Sequence, residues 1–336
     1  MRKKWRLIAA PARAMALSIL VLLAACGTAG GNASGGADGG TGVSGGGQGG
    51  QKVSAAAATD GSGERKGWPE VLRLGVIPGE EVGKLSRGNR KLVEDLGKAL
   101  GIKTELFVGE DYTAVVEAMR TRHIEIASLG PFSYIIAHER SGAIPFAVKA
   151  RSKEEAFYYS QIVVPKDSPV QTVQELRGKT FLFADPASTS GHLFPRAKLI
   201  ELLGISNDEI EKFFGNVSFS GGHDKSILAI AKGTADGAGV CSTCVERVIE
   251  AGLVNADDYR VIAQSDPIPT SPFTYRNDLP ENLVEAIKAF FFNYHHENPD
   301  YFDDGTERFI PVEDKDYDVI RRTAEALNMS PEELLG

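Results

Sequence analysis

Residues 180–192 read Thr180-Phe-Leu-Phe-Ala-Asp-Pro-Ala-Ser-Thr-Ser-Gly-His192, and an apolar-periodic run, Leu193–Leu203, follows at once. An apolar strand therefore leads through a short turn into a helix. Three consecutive hydroxyls, Ser188, Thr189 and Ser190, stand where that helix begins. A helix start offers unpaired backbone N–H groups and a positive dipole potential, and Ser/Thr side chains add hydroxyl donors. That combination suits a compact anion with several equivalent oxygens. On local physics alone, plain N-capping by one hydroxyl accounts for the same residues. The Gly-Lys-Ser/Thr signature of a Walker loop is missing from the segment.

The same alternation extends in both directions. Strands are expected at Leu72–Ile77, Lys103–Val108, Ile124–Ser128, Pro145–Ala150, Tyr158–Val164, Thr180–Ala184, Val217–Phe219, Gly237–Val240, Arg260–Ala263 and Phe273–Tyr275. Helices are expected at Leu85–Leu100, Tyr112–Arg120, Pro131–Glu139, Thr189–Leu203, Asp208–Phe214, Asp224–Lys232, Ser242–Ala251, Glu281–Asn293 and Tyr317–Leu327. Strands alternating with helices of this length predict α/β architecture with parallel sheets. About 190 residues of alternation followed by two terminal helices suit two α/β lobes. The chain is expected to cross between them near 151–157 and to return near 264–271. Ligands of open α/β sheets sit beyond the carboxyl ends of the strands, so a cleft between the lobes is the expected site. Hinge closure around the ligand is the expected motion.

Three further groups carry chemistry. Ser220-Gly-Gly-His-Asp224 lies between a short strand and a helix. Its glycines let backbone approach a ligand, and His223 can offer an oxyanion a hydrogen bond or a positive charge, or simply sit as a cap or on the surface. Tyr112 opens a helix after Glu110-Asp111, and Phe157-Tyr158-Tyr159-Ser160 lies at the expected crossing. Tyrosines there can donate to an oxyanion while their rings form an apolar wall, or can only pack the strand and helix. Cys241-Ser-Thr-Cys244 reads as a local disulfide, as two inert thiols, or as a redox or metal pair. No second Cys-x-x-Cys exists, and His295-His296 has no spacing that completes a zinc site.

The amino terminus describes an exported chain. Residues 1–6 carry four positive side chains, and an apolar run of small residues through Ala14–Ala25 ends in Leu23-Ala-Ala-Cys26. This reads as a signal peptide, 1–25. Its end resembles the lipobox of bacterial lipoproteins, which implies that Cys26 takes a diacylglyceryl group, the alternative being an ordinary signal peptide with a chance cysteine. In Gly27–Gly50, 13 of 24 residues are glycine. Such a composition cannot bury enough apolar area to order itself, so 26–67 is expected to be a tether spanning roughly 35 Å. Removing residues 1–25 leaves 32 positive against 45 negative side chains. That balance offers nothing to nucleic acid or to anionic lipid. No nucleophile–base–orienter set is recognisable, so the chain is not read as an enzyme.

Together these segments resemble the phosphonate/phosphite-type substrate-binding lipoproteins of ABC importers, which take phosphate, phosphite or phosphonates. The signposts are Leu74-Gly75-Val76-Ile77, Asp111-Tyr112, Ser128-Leu-Gly-Pro131, Tyr158-Tyr159-Ser160, Asp185–Gly191, Gly222-His223 and Pro267-Ile268-Pro269, over roughly residues 70–295. The resemblance implies a type II periplasmic-binding-protein fold, two α/β lobes with a ligand cleft between them. Lobe 1 would hold 68–155 plus 265–336, and lobe 2 would hold 156–264. It implies that Ser188, Thr189 and Ser190 hold the phosphorus-bound oxygens, with His223, Tyr112 and Tyr158 completing the shell and Tyr159 as a further aromatic. It implies a monomer on the outer face of the cell membrane, serving a permease and an ATPase, with no cofactor and no metal. Relatives that bind aminoethylphosphonate carry carboxylates where this chain has about Thr243 and Ser271. A buried ammonium without a counter-charge is costly. The expected ligand therefore lacks an amine: phosphite, methylphosphonate, hypophosphite or phosphate, with the aromatic wall favouring a P–H or P–CH3 corner. The alternatives are a binding protein for another small oxyanion or a sulfonate, and a ligand-sensing domain for a membrane kinase.

Overall fold

The computed structural model describes residues 65–78, 83–302 and 306–329. The expected signal peptide (1–25), lipidation at Cys26 and the tether up to residue 64 lie outside the described residues.

The chain builds a first sheet from β1 (Val71–Val76), β2 (Lys103–Val108), β3 (Ile126–Ser128) and β4 (Ala143–Ala150). It then passes through a short strand, β5 (Phe157–Tyr158), into a second sheet of β6 (Ser160–Pro165), β7 (Thr180–Phe183), β8 (Asn216–Phe219), β9 (Gly237–Cys241) and β10 (Tyr259–Gln264). It returns through β11 (Ile268–Pro269) and completes the first sheet with β12 (Phe273–Arg276) and β13 (Arg308–Pro311). Strand order is β13-β4-β12-β3-β1-β2 in the first sheet and β10-β6-β9-β7-β8 in the second, while β5 and β11 pair with each other. The helices are α1 (Gly83–Leu100), α2 (Tyr112–Arg120), α3 (Pro131–Ser141), α4 (Phe194–Leu203), α5 (Ile210–Phe213), α6 (His223–Ala231), α7 (Ser242–Glu250), α8 (Glu281–Glu297) and α9 (Asp318–Ala326).

Each sheet is covered on both faces, which explains the continuous burial of inner strands such as β3 and β9. Leu92, Leu96, Leu283 and Ile287 bring α1 and α8 onto one face of the first sheet. Val115, Met119, Ile135 and Ile320 bring α2, α3 and α9 to the other. In the second sheet Phe181 and Phe183 pack with Leu199, Ile210 and Phe213, while Val163, Ala238 and Val240 face Ile227, Ile230 and Val245. Each fully buried side chain of this size stabilises the fold by about 1.5–3 kcal/mol before chain entropy is counted.

The expected parallel sheets need correcting, because both are mixed. β12 is antiparallel to β3 and β4, and β6 is antiparallel to β9 and β10. The cause lies in the crossings. A strand that enters a lobe from the linker starts at the cleft, whereas strands such as β1, β3, β7 and β9 end there. β6 and β12 are those entering strands, so they must run against their neighbours. The strand expected over Tyr158–Val164 is likewise two strands. Tyr159 separates them, its N–H turned to the Ser242 hydroxyl at 3.2 Å instead of a ladder partner. The pairs Ile268–Pro269 and Arg308–Pro311 lacked the apolar length that marks a strand, and each forms only against a distant partner. Among the described residues no helix is long and apolar enough to cross a membrane.

Candidate functional site

The loop after β7 folds as a helix start that is wider than an α-helix. The Leu193 N–H reaches the Ser188 carbonyl at 3.1 Å, an i→i+5 bond, and residues 189–193 make one π turn before α4. The single helix expected over Thr189–Leu203 is therefore two pieces. Gly191 is what this turn requires. A Cβ there would lie 2.3 Å from the Ala184 Cβ, 2.8 Å from His223 Cε1 and 2.8 Å from Ser188 Oγ. Asp185 ties the turn from behind, its Oδ1 accepting the Ala187 N–H at 2.8 Å. His192 closes it by donating from Nδ1 to the Pro186 carbonyl at 2.8 Å. Burial pushes the His192 pKa down to about 4, so it serves as a neutral brace.

The three hydroxyls are buried and aimed by their surroundings. Ser188 Oγ accepts the Gly191 N–H at 3.0 Å, and Thr189 Oγ1 accepts the Phe132 N–H at 2.8 Å. These two hydroxyls have thus each used an acceptor site, leaving the proton to donate. The Thr189 bond also crosses from the second lobe to α3 of the first. The Tyr112 N–H makes a second crossing, to Asp185 Oδ2 at 3.4 Å. Ser160 Oγ donates to the Ser190 carbonyl at 2.8 Å and holds the middle of the turn against β6.

His223 is the first residue of α6, delivered by the Ser220–Gly222 turn. Its Nδ1 accepts the Cys241 N–H at 3.2 Å, so the ring proton is on Nε2. Nε2 stands 3.4 Å from both Ser188 Oγ and Ser190 Oγ, too far for a strong bond to either. Burial, reinforced by the Arg247 charge, pushes the His223 pKa down to about 3. His223 is therefore buried and neutral, with its one ring proton on Nε2, and does not sit on the surface.

Tyr112, Tyr158, Ser188, Thr189, Ser190 and His223 line one cleft of about 440 Å³ between the lobes. Tyr112 is placed by the Asp111 cap, whose side chain accepts the Ala114 N–H and starts α2. Tyr158 belongs to β5, where it pairs with Ile268. Tyr159 does not line the cleft. Its ring packs edge-on against Phe157 at 5.8 Å, and its N–H is taken by the Ser242 hydroxyl.

Cys241 and Cys244 are joined by a disulfide at the start of α7, on the cleft wall. With His223 they would form a soft-metal donor set only once reduced, because the bond uses both sulfurs. Thr243 and Ser271, the positions at which amine-binding relatives are expected to carry carboxylates, both line the cleft. Sequence reasoning passed over the charged rim of Lys149, Arg151, Glu155, Glu246, Arg247, Glu250 and Glu307. The rim is largely self-neutralised, with Lys149 3.4 Å from Glu307 and Arg151 3.6 Å from Glu155. Arg247 alone carried a signal, lying one helical turn beyond Cys244.

The cleft thus brings together three buried hydroxyls, a neutral imidazole with its proton on Nε2, and two tyrosines. Residues 74–317 match the family of periplasmic substrate-binding proteins of phosphonate ABC transporters. The chain belongs to this family. It is 31% identical over 279 residues to the phosphate-import protein PhnD of Mycolicibacterium smegmatis, covering 77% of this chain and 87% of that one. It is 28% identical over 229 residues to the phosphonates-binding periplasmic protein of Escherichia coli, covering 67% and 66%. Among solved structures, it resembles PhnD1 of Prochlorococcus marinus in complex with methylphosphonate, with TM-score 0.66 and 22% identity over 78% of this chain and all of that one. As a phosphonate-transporter binding protein it is extracytoplasmic, not an enzyme, and has the type II periplasmic-binding-protein fold.

Proposed function

We propose that this binding protein captures a small phosphorus oxyanion without an amine, phosphite or methylphosphonate before phosphate, and delivers it to an ABC permease. The observation that carries this reading is the convergence of the Ser188, Thr189 and Ser190 hydroxyls with His223 Nε2–H in one cleft. Three hydroxyl protons and one imidazole proton match a group with three equivalent oxygens. Tyr112 and Tyr158 would line the fourth corner, where an apolar P–H or P–CH3 suits ring faces better than a further oxygen. The acidic side chains on the rim already face cations or lie exposed on α7, so a ligand ammonium would find no committed buried partner. Relatives named for phosphate import and for phosphite binding support the class of ligand. In this reading Cys26 anchors the chain by lipid and residues 26–67 let the two lobes, 68–155 with 265–336 and 156–264, reach a permease.

Calorimetric titration with phosphite, methylphosphonate, aminoethylphosphonate, phosphate and an alkanesulfonate tests it. Tightest binding of phosphite or methylphosphonate is expected. Heat only from the sulfonate would assign the cleft to another oxyanion, and preference for aminoethylphosphonate would overturn the amine-free assignment. Ligand-dependent uptake in cells that carry the permease separates transport from a sensing role.

A further inference from the structure

We propose that Asn89 is a ligand-facing donor that reads an oxygen on the organic substituent of a phosphonate, at a subsite apart from the hydroxyls that hold the phosphoryl group. This rests on the reading above that the cleft takes a phosphorus oxyanion.

Asn89 lies on α1 in the first lobe, is 3% exposed, and lines the same cleft as Ser188–Ser190. Among the described residues its Nδ2 has no hydrogen-bond partner. Buried amide donors in folded proteins are nearly always paired, because an unmet one is destabilising. Leucine would fill similar space without that cost, so a side-chain amide at this position calls for a partner arriving from the cleft. α1 is seated here against Tyr301, whose ring carbon is 3.3 Å from where a Cβ on Gly88 would lie. The surrounding wall of the cleft is also first-lobe: Ser128, Lys149, Phe273, Tyr301 and Glu307.

Geometry sets what reaches it. The hydroxyls and His223 belong to the second lobe, so a tetrahedral group seated on them turns its remaining corner away from that lobe. The cleft, at about 440 Å³, has room beyond a single tetrahedral oxyanion. An amide N–H asks for an acceptor and cannot use an ammonium, which has only donors. Lys149, held 3.4 Å from Glu307, adds a second donor to the same wall. The complementary substituent therefore carries an oxygen, as a hydroxyl or a carboxylate.

The test is calorimetry on the full chain with methylphosphonate, 2-hydroxyethylphosphonate and phosphonoacetate, alongside phosphite. At least one oxygen-bearing phosphonate should bind about five- to tenfold more tightly than methylphosphonate, the range expected of one additional hydrogen bond. In Asn89→Leu that ratio should fall to near one. Asn89→Asp keeps the shape, exchanges the donor for an acceptor, and should lose the ratio too, most of all for phosphonoacetate. Which probe gains in the wild type assigns the oxygen as hydroxyl or carboxylate. The thermal midpoint of Asn89→Leu should equal or exceed that of the wild type. A wild-type ratio of one or less for both probes, a ratio that survives both substitutions, or a clear fall in midpoint with the ratio kept would each overturn the proposal. Binding of phosphite without that ratio would defeat this inference alone, whereas silence from every probe would defeat the functional reading as well.

Discussion

His223 and His192 are both buried and neutral, and both depart from the ordinary imidazole value of 6.5 in the same direction, to about 3 and about 4. The unfolded chain therefore takes up protons on acidification that the folded one refuses. Stability should fall as pH drops from about 6.5 towards 4, with a slope approaching 2.7 kcal/mol per pH unit where both histidines contribute. Asp185 and Glu125, whose carboxyl pKa values burial raises, act in the opposite sense and offset part of that slope where they titrate. Urea midpoints across that range check it, and His192→Gln should flatten the slope by about half. At Gly191, alanine would press into Ser188 Oγ and His223 Cε1. Gly191→Ala should cost about 1–3 kcal/mol of stability and remove phosphite binding in calorimetry. Ser188→Ala, which deletes a donor to a charged group, should weaken binding about tenfold or more. The hydroxyl block was legible because three adjacent Ser/Thr residues stand out at a helix start. Asn89 was not, since nothing local distinguishes a polar residue that faces a cleft from one that faces water.

At the scale of elements, the disulfide and the π turn were the parts least open to sequence reasoning. Cys-x-x-Cys spacing allowed three chemistries, and only the placement of both sulfurs at the start of α7 decides among them. Its closed loop is very short, so the chain-entropy contribution is about 2 kcal/mol. Cys241 Sγ also stands at the cap of α7, where it is 3.1 Å from the Cys244 N–H. A Cys241→Ser/Cys244→Ser variant keeps a good cap and should lose about 1–2 kcal/mol in chemical denaturation. Its ligand affinity should change little, because Cys241 orients His223 through its backbone N–H. Most helices and strands were readable within a residue or two from apolar period and flanking turns. Strand direction was not readable, because it follows from where the chain crosses between lobes, a property of the path rather than of any window of residues.

For the whole molecule, two lobes joined by two linkers and already bridged by the Phe132–Thr189 and Tyr112–Asp185 hydrogen bonds predict a ligand that fastens both halves together. At a hundred times its dissociation constant such a ligand adds about 2.7 kcal/mol, or a rise of about 5–10 °C in the thermal midpoint. A thermal-shift panel of phosphorus oxyanions checks this, and X-ray scattering should register a smaller radius of gyration with the tightest binder. Tyr158 has a place in both halves of that event. It is one of the four residues of the β5–β11 ribbon that carries the chain between lobes, and it lines the cleft. On the proposed function, recognition and lobe movement would share this one residue. On that reading a compound that fills the cleft without shifting the Tyr158 ring would be held yet not announced to the permease, as an antagonist occupies a receptor without switching it.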